Sequence, residues 1–212
     1  MYKGGYTGRI LRVNLTTQTA TEEPLSEKIA REYLGGAGLG IKYLYDEVPS
    51  NTGPLSDENK LFLAIGPLTA TGAPCASRMS IVGKSPLTGA VGMALTGGQF
   101  PAELKQAGYD MLIIEGRAEK PAFLAIKDGK VTFRNAVKLR GMTTSDTQLF
   151  IKDELGDQNY RVICIGPAGE RQVPLASIIN ERRAAGRKGL GAVMGAKNLK
   201  AIAVRGTTKP GI

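Results

Sequence analysis

Short apolar blocks separated by glycine, proline and charged residues run through the whole chain. Blocks of about four to eight residues that are continuously apolar or alternate are typical of strands. Longer stretches with helical spacing are fewer, and one of them begins after Ser26, which can cap a helix, and is expected to stop at Gly35-Gly36. Because strands come in runs and helices are few, the pattern predicts an α+β fold. The predicted strands are residues 8–15, 61–65, 79–82, 111–115, 122–126, 131–133, 162–165 and 199–204, and the predicted helices are 27–34, 101–107 and 144–155.

Two segments of the chain resemble each other at a constant offset of 100 positions. Residues 55–77 and 155–177 share nine identities in 23 positions, among them Ile-Gly-Pro and Ala-Ser. Each segment is followed by a Gly-Ala-Val triplet, at residues 89–91 and 191–193, and then by an apolar run. The pattern predicts an internal duplication with two repeats of roughly 100 residues each. The alternative is a chance match in a sequence rich in glycine and proline.

Composition limits the chemistry that the chain can perform by itself. The 212 residues are 42% hydrophobic and 22% charged, as in ordinary globular proteins, and they contain no histidine. Serine–histidine and cysteine–histidine catalysis and the usual zinc ligand sets are therefore excluded, so any redox or hydrolytic chemistry must come from a cofactor or another segment. Cys75 and Cys164 are expected to be small core residues. The polar N-terminal sequence, without an apolar signal core or a membrane-spanning stretch, predicts a cytoplasmic protein.

The positive charge is concentrated near the C-terminal end. The net charge is +9, and residues 179–205 contain seven cations and one carboxylate. Residues 180–192 combine four of these cations with three glycines, and the first half carries a similar set at Arg78 and Gly97-Gly98. Arginine forks match phosphate oxygens, and glycines let a ligand approach the backbone. We therefore predict a phosphate-binding cradle. A solvated charged loop is the alternative.

Long motifs in both halves resemble one known family. Taken in their order along the chain, these motifs resemble the N-terminal domain of the tungsten-containing aldehyde ferredoxin oxidoreductases, and the resemblance covers the chain essentially from end to end. The motifs are Gly66-Pro67-Leu68-Thr69, Ala73-Pro74-Cys75-Ala76-Ser77-Arg78, Lys84-Ser85-Pro86-Leu87-Thr88-Gly89, Gly97-Gly98, Ala107-Gly108-Tyr109-Asp110, Ile165-Gly166-Pro167-Ala168-Gly169-Glu170, Arg183-Ala184-Ala185-Gly186-Arg187 and residues 191–204.

The resemblance implies a single cofactor-binding domain over residues 1–212, with two sheets related by a pseudo-two-fold axis. It would hold a bis-pyranopterin whose dithiolene sulfurs bind tungsten or molybdenum, and a magnesium ion that bridges the two phosphates. Backbone carbonyls of Leu95 and Ala184 are expected at the magnesium. A member of the family has asparagine at the position of Leu95: the exchange is harmless if only the carbonyl binds magnesium, whereas any side-chain role is lost. The cofactor-binding residues implied by the resemblance are Arg78, Leu95, Gly97, Arg183, Ala184, Gly186 and Arg187.

The implied reaction is oxidation of an aldehyde to a carboxylic acid, with electrons passing through a 4Fe-4S cluster to ferredoxin. In the family, the cluster cysteines and proton-transfer residues belong to later domains, which are absent from these 212 residues. We therefore expect the remaining domains or a separate subunit as partner, no catalytic residue in this chain, and an inactive isolated domain. A scaffold role is one alternative. Nucleic-acid binding is another, and it is disfavoured because the chain has no tryptophan and 6% aromatic residues with which to stack bases.

Overall fold

The computed structural model describes residues 4–208, in which two six-stranded sheets and six α-helices form a mixed α+β fold. The first sheet contains β1 (Arg9–Asn14), β2 (Thr19–Pro24), β3 (Leu61–Ile65), β4 (Met79–Lys84), β5 (Val91–Thr96) and β6 (Met111–Glu115) in the order β2-β1-β6-β3-β4-β5. The second contains β7 (Ala122–Lys127), β8 (Lys130–Asn135), β9 (Arg161–Cys164), β10 (Ile178–Asn180), β11 (Arg183–Ala185) and β12 (Leu199–Arg205) in the order β11-β10-β9-β12-β7-β8. The helices are α1 (Glu27–Tyr33), α2 (Gly36–Glu47), α3 (Phe100–Gln106), α4 (Thr144–Leu155), α5 (Pro167–Glu170) and α6 (Leu190–Ala196).

The two sheets have the same topology and corresponding registers, apart from a register shift between Leu199 and Ala201 in β12. In each sheet, the first strand pairs parallel with the last, and the other neighbours pair antiparallel. One row of paired residues crosses the first sheet, and a corresponding row crosses the second. The rows are Glu23, Ile10, Met111, Ala64, Ser80 and Leu95 in the first sheet, and Arg134, Phe123, Ala201, Cys164, Ile179 and Ala184 in the second. The predicted duplication is thus confirmed as two equivalent sheets.

One large core joins the two sheets. Its buried apolar residues come from strands of both sheets and from α3 and α6. Helix α6 contacts β4 of the first sheet, whereas α3 contacts β12 of the second, so each half contributes a helix to the other half. Arg205 at the end of β12 extends this link, since its Nη1 lies 2.7 Å from Oε1 of Glu103 on α3. Smaller clusters cover the outer faces of the sheets, under α1 and α2 on one side and under α4 on the other.

Three details of the sequence-based prediction were wrong. Helix α1 ends before Gly35-Gly36 as expected, but a second helix, α2, was missed, and it begins directly at Gly36 with Gly35 as its N-cap. The Gly-Ala-Val triplets are not equivalent, since residues 89–91 enter β5, whereas residues 191–193 lie within α6. Cys164 is buried as expected, but Cys75 is exposed because it lies in the loop before β4. Among residues 4–208, no helix has both the length and the apolar character that crossing a bilayer demands.

Candidate functional site

The predicted site residues lie along the line where the edge strands β5 and β11 of the two sheets meet, which we call the seam. Leu95 and Ala184 lie on these two strands. The register makes them equivalent, because Leu95 pairs with Ser80 as Ala184 pairs with Ile179. Gly97 and Gly186 follow two residues later in each half and are therefore equivalent as well. The seam thus carries a symmetric pair of backbone segments, in which Leu95 and Ala184 are exposed and Thr96 and Ala185 are buried.

One end of the seam brings Arg78, Gly97 and Arg183 together. Met79 pairs with Thr96, which places Arg78 next to Gly97. A Cβ on Gly97 would lie 3.5 Å from Cδ of Arg183, so the arginine stem runs beside the bare glycine backbone. Glycine here leaves the backbone without a side chain beside the Arg183 stem.

The turn between β10 and β11 holds this end in place. Nδ2 of Asn180 donates a hydrogen bond to the carbonyl oxygen of Gly97, and the backbone amide of Gln99 donates to Oε2 of Glu181 at 3.3 Å. From the first sheet, Oγ of Ser77 donates to the carbonyl oxygen of Gly98 at 2.6 Å. Gly98 has φ of +96°, and a Cβ there would lie 2.9 Å from Oε2 of Glu181. Side chains from both sheets therefore fix the strand end that carries Gly97.

Gly186 and Arg187 lie toward the other end of the seam. Oγ of Ser85, in the turn between β4 and β5, donates to the carbonyl oxygen of Lys188 at 2.8 Å. A Cβ on Gly186 would lie 3.4 Å from Oγ of Ser177, the counterpart of Ser77 in the second half. The structure therefore divides the predicted residues into two groups at opposite ends of the seam, with Arg78, Gly97 and Arg183 at one end and Gly186 and Arg187 at the other.

The seam carries a surplus of positive charge. Arg78, Arg182 and Arg187 are exposed and have no ion-pair partner within residues 4–208. The Arg183 side chain is 60% exposed and lies 3.9 Å from Glu181, a carboxylate that also lies 3.8 Å from Arg161. Unpaired guanidinium groups beside glycine-rich backbone can bind anionic groups such as phosphates.

Sequence reasoning missed the residues that build the seam. Ser77, Asn180 and Glu181 fix its backbone but are not among the predicted site residues. The Ala-Ser pair that both repeats share was a signal for Ser77, and Asn180 and Glu181 open the cationic run. Oδ1 of Asn180 is buried without a hydrogen-bond partner in the described part of the chain, which marks this turn as unusual, since buried polar atoms nearly always have one.

Comparisons with known proteins give a consistent result. Residues 10–206 match the family model described as aldehyde ferredoxin oxidoreductase, N-terminal domain. A tungsten-containing aldehyde ferredoxin oxidoreductase of Pyrococcus abyssi is 51% identical over 203 residues, which are 95% of this chain and 33% of that protein. A Pyrococcus furiosus protein named aliphatic sulfonate oxidoreductase, WOR-like subunit, is 36% identical over 218 residues, with 95% of this chain and 35% of that protein covered.

A solved structure agrees with these sequence matches. It is the active site complex BamBC of benzoyl coenzyme A reductase in complex with 1,5 dienoyl-CoA, and it superposes with a TM-score of 0.97 at 39% identity. The match covers 99% of this chain and 32% of that one. The chain spans about a third of the length of the proteins that it matches. The chain belongs to the aldehyde ferredoxin oxidoreductase family, where it corresponds to the N-terminal domain.

Proposed function

We propose that this single domain of two repeats binds a tungsten or molybdenum bis-pyranopterin along the seam. The observation that carries the proposal is the equivalence of Leu95 with Ala184 and of Gly97 with Gly186 on adjoining edge strands. A ligand with two similar anionic halves matches a site that offers the same backbone segment twice. The family membership and the tungsten in the names of the relatives support this choice.

The residues present fit such a cofactor. Magnesium prefers oxygen ligands, and the carbonyls of Leu95 and Ala184 would supply one from each half. Arg78 and Arg183 at one end, with Arg187 at the other, would hold phosphate and pterin groups by their guanidinium forks. Gly97 and Gly186 let the cofactor approach the backbone. The bound metal–pterin supplies two-electron redox chemistry, while this chain binds, orients and electrostatically tunes it.

We further propose that the domain acts within an oxidoreductase that oxidises aldehydes to carboxylic acids in the cytoplasm. Electrons would pass to a 4Fe-4S cluster held by other domains or a subunit, and then to ferredoxin. Relatives named for aldehyde, sulfonate and benzoyl-CoA chemistry share this domain. We therefore assign substrate choice to the remaining domains and binding of the shared cofactor to this domain. The domain alone is expected to be inactive.

The test is the cofactor content of the holoenzyme that contains this chain. Replacing Arg183→Gln together with Arg187→Gln removes two charge-assisted contacts, and we expect metal and pterin content to fall at least about tenfold. Metal is measured by mass spectrometry and pterin by fluorescence after oxidation. Arg171→Gln is the matched control, because Arg171 is exposed and lies outside the seam.

Two outcomes would contradict the proposal. Full metal and pterin content in the double variant would place the cofactor elsewhere. A protein that carries neither, but binds single-stranded DNA with steep salt dependence, would favour the nucleic-acid alternative.

A further inference from the structure

An open cavity of about 410 Å³ lies at the same end of the first sheet as Arg78. Its walls include the start of α2 at Gly35-Gly36, the loop after β3 and the start of β4 at Ser80. We propose that this cavity binds a single phosphate-sized oxyanion, through the N-terminus of α2, the Ser80 hydroxyl and the Arg78 guanidinium. The site shares Arg78 with the proposed function, on which that part rests, and it adds α2 and Ser80, neither of which belongs to the residues assigned to the metal–pterin.

The N-terminus of α2 lacks the usual capping side chain. The helix has 12 residues, and its N-cap Gly35 makes no side-chain hydrogen bond. No hydrogen bond that the described residues form outside the helix uses the amides of Gly36, Ala37 or Gly38. First-turn amides have no partner within a helix, and the helix dipole adds positive potential there. These amides are therefore available to an anion.

Ser80 gives the second, independent indication. It is 3% exposed, lines the cavity, and its Oγ lies 3.4 Å from the position of a Cβ on Gly36. Within residues 4–208, its hydroxyl makes no hydrogen bond, and it is not among the fully enclosed unpartnered atoms, so it opens onto the cavity. A hydroxyl can donate to an anion bound at the helix start. The orphaned hydroxyl and the free amides thus face the same space.

Arg78 determines the charge of the cavity. It is the one charged side chain among the described residues that line the cavity, and no carboxylate contacts it. An anion bound there would receive hydrogen bonds from backbone amides, a hydroxyl and a guanidinium. The opening admits solvent, so a small hydrated oxyanion can enter.

The second half of the chain provides an internal comparison. There α4 takes the place of α2, and Oγ1 of Thr143 caps it by accepting a hydrogen bond from the amide of Asp146 at 3.2 Å. In the strand pairing, Ile179 stands at the position of Ser80. In the second half, the counterpart of the cavity is therefore occupied by a capping side chain and an apolar residue. The anion-binding features are confined to the first half.

Amide chemical shifts test the proposal in the purified protein without cofactor, titrated with inorganic phosphate at constant ionic strength. We expect saturable shifts of the Gly36, Ala37 and Gly38 amides. Ser80→Ala and Arg78→Gln should each raise the dissociation constant at least about fivefold, because each removes a hydrogen bond to a charged group. Arg171→Gln, the matched charge control, should change it less than about twofold. Shifts that do not saturate, that move only residues 186–189, or that are unaffected by Ser80→Ala and Arg78→Gln would overturn the proposal.

A second measurement distinguishes two sources of the oxyanion. In the cofactor-loaded holoenzyme, retained binding of radiolabelled phosphate identifies free phosphate as the ligand. Loss of that binding, restored when the cofactor is removed, identifies a phosphate of the cofactor. Either result supports the oxyanion site. Neither result depends on whether the arginines of the second half hold the metal–pterin.

Discussion

At the scale of single residues, the backbone of the seam depends on the conformation of Gly98. Gly98 has φ of +96°, and an added Cβ would lie 2.9 Å from Oε2 of Glu181 and 3.0 Å from Nδ2 of Asn180. Gly98→Ala combines backbone strain with a clash against the turn that holds Gly97. We expect it to lower the free energy of unfolding by about 2–4 kcal/mol, measured by urea denaturation.

The Gly89→Ala variant separates the effect of backbone strain from the effect of the side-chain clash. Gly89 also has positive φ, at +69°, but a Cβ there meets nothing within 4 Å. This variant should therefore lose only the backbone part, about 1 kcal/mol. Equal losses in both variants would show that the contact with Glu181 and Asn180 contributes nothing.

A buried lysine makes stability depend on pH. Burial lowers the pKa of the Lys197 ammonium from 10.5 to about 8, and its Nζ donates to the carbonyl oxygens of Asp57 and Gly116. Since the unfolded chain binds this proton more tightly, protonation favours unfolding, and stability should rise with pH between 8 and 10.5. Lys197→Met removes this dependence.

The comparison of the two proteins isolates this lysine from other titrating groups. Relative to the wild type, Lys197→Met should be more stable near about pH 7 than near about pH 10, by up to about 3 kcal/mol. Urea denaturation at the two values measures the difference. Lys188→Met, an exposed control, should show no such change, and a flat difference for Lys197→Met would refute the shifted pKa.

At the scale of elements, continuous apolar runs were predictable and short or glycine-rich elements were not. The runs that form β3, β6 and β12 are almost entirely buried, so composition alone identifies them. Helix α2 was missed because its three glycines argue against a helix in isolation, whereas the structure uses Gly40 to bring α2 against Val82 of β4. Strands β10 and β11 have three residues each and lie within a charged run.

In the candidate site, too, some features were predictable from the sequence and others were not. The arginines and glycines of the site could be named from the sequence because local motifs contain them. The grouping of these residues could not be predicted, because the approach of Arg183 to Gly97 depends on how the edges of two sheets meet. The equivalence of Leu95 with Ala184 likewise depends on strand register, which requires the pairing partners Ser80 and Ile179.

The contact between α2 and β4 predicts a coupled pair of substitutions. A Cβ on Gly40 would lie 2.8 Å from Cγ2 of Val82, so Gly40→Ala should destabilise the protein by about 1–2 kcal/mol despite the better helix propensity of alanine. In a Val82→Ala background the clash is absent, and the same substitution should be neutral or stabilising. A double-mutant cycle in urea measures the coupling, expected to be at least about 1 kcal/mol. Additive effects would contradict the close packing.

At the scale of the whole molecule, an apolar surface beside the seam has no cover within residues 4–208. It is formed by Ile41 and Tyr45 on α2 and by Val91 on β5, and it borders an apolar groove of about 420 Å³. The Tyr45 side chain is 86% exposed and Val91 is 51% exposed. Since the matched proteins are about three times longer, the chain alone exposes surface that a partner segment could bury.

This surface predicts that the chain alone associates with a second copy of itself. Sedimentation equilibrium should show a dimer at tens of micromolar protein, because joined patches remove apolar side chains from water. Ile41→Lys combined with Val91→Lys should weaken the dimer at least about tenfold by placing like charges at its centre. Leu149→Lys is the matched control, since Leu149 is 60% exposed on α4 of the other half and should leave association unchanged. A chain that stays monomeric at all concentrations would contradict this prediction. Equal weakening by the double variant and by Leu149→Lys would show that association does not occur through this surface.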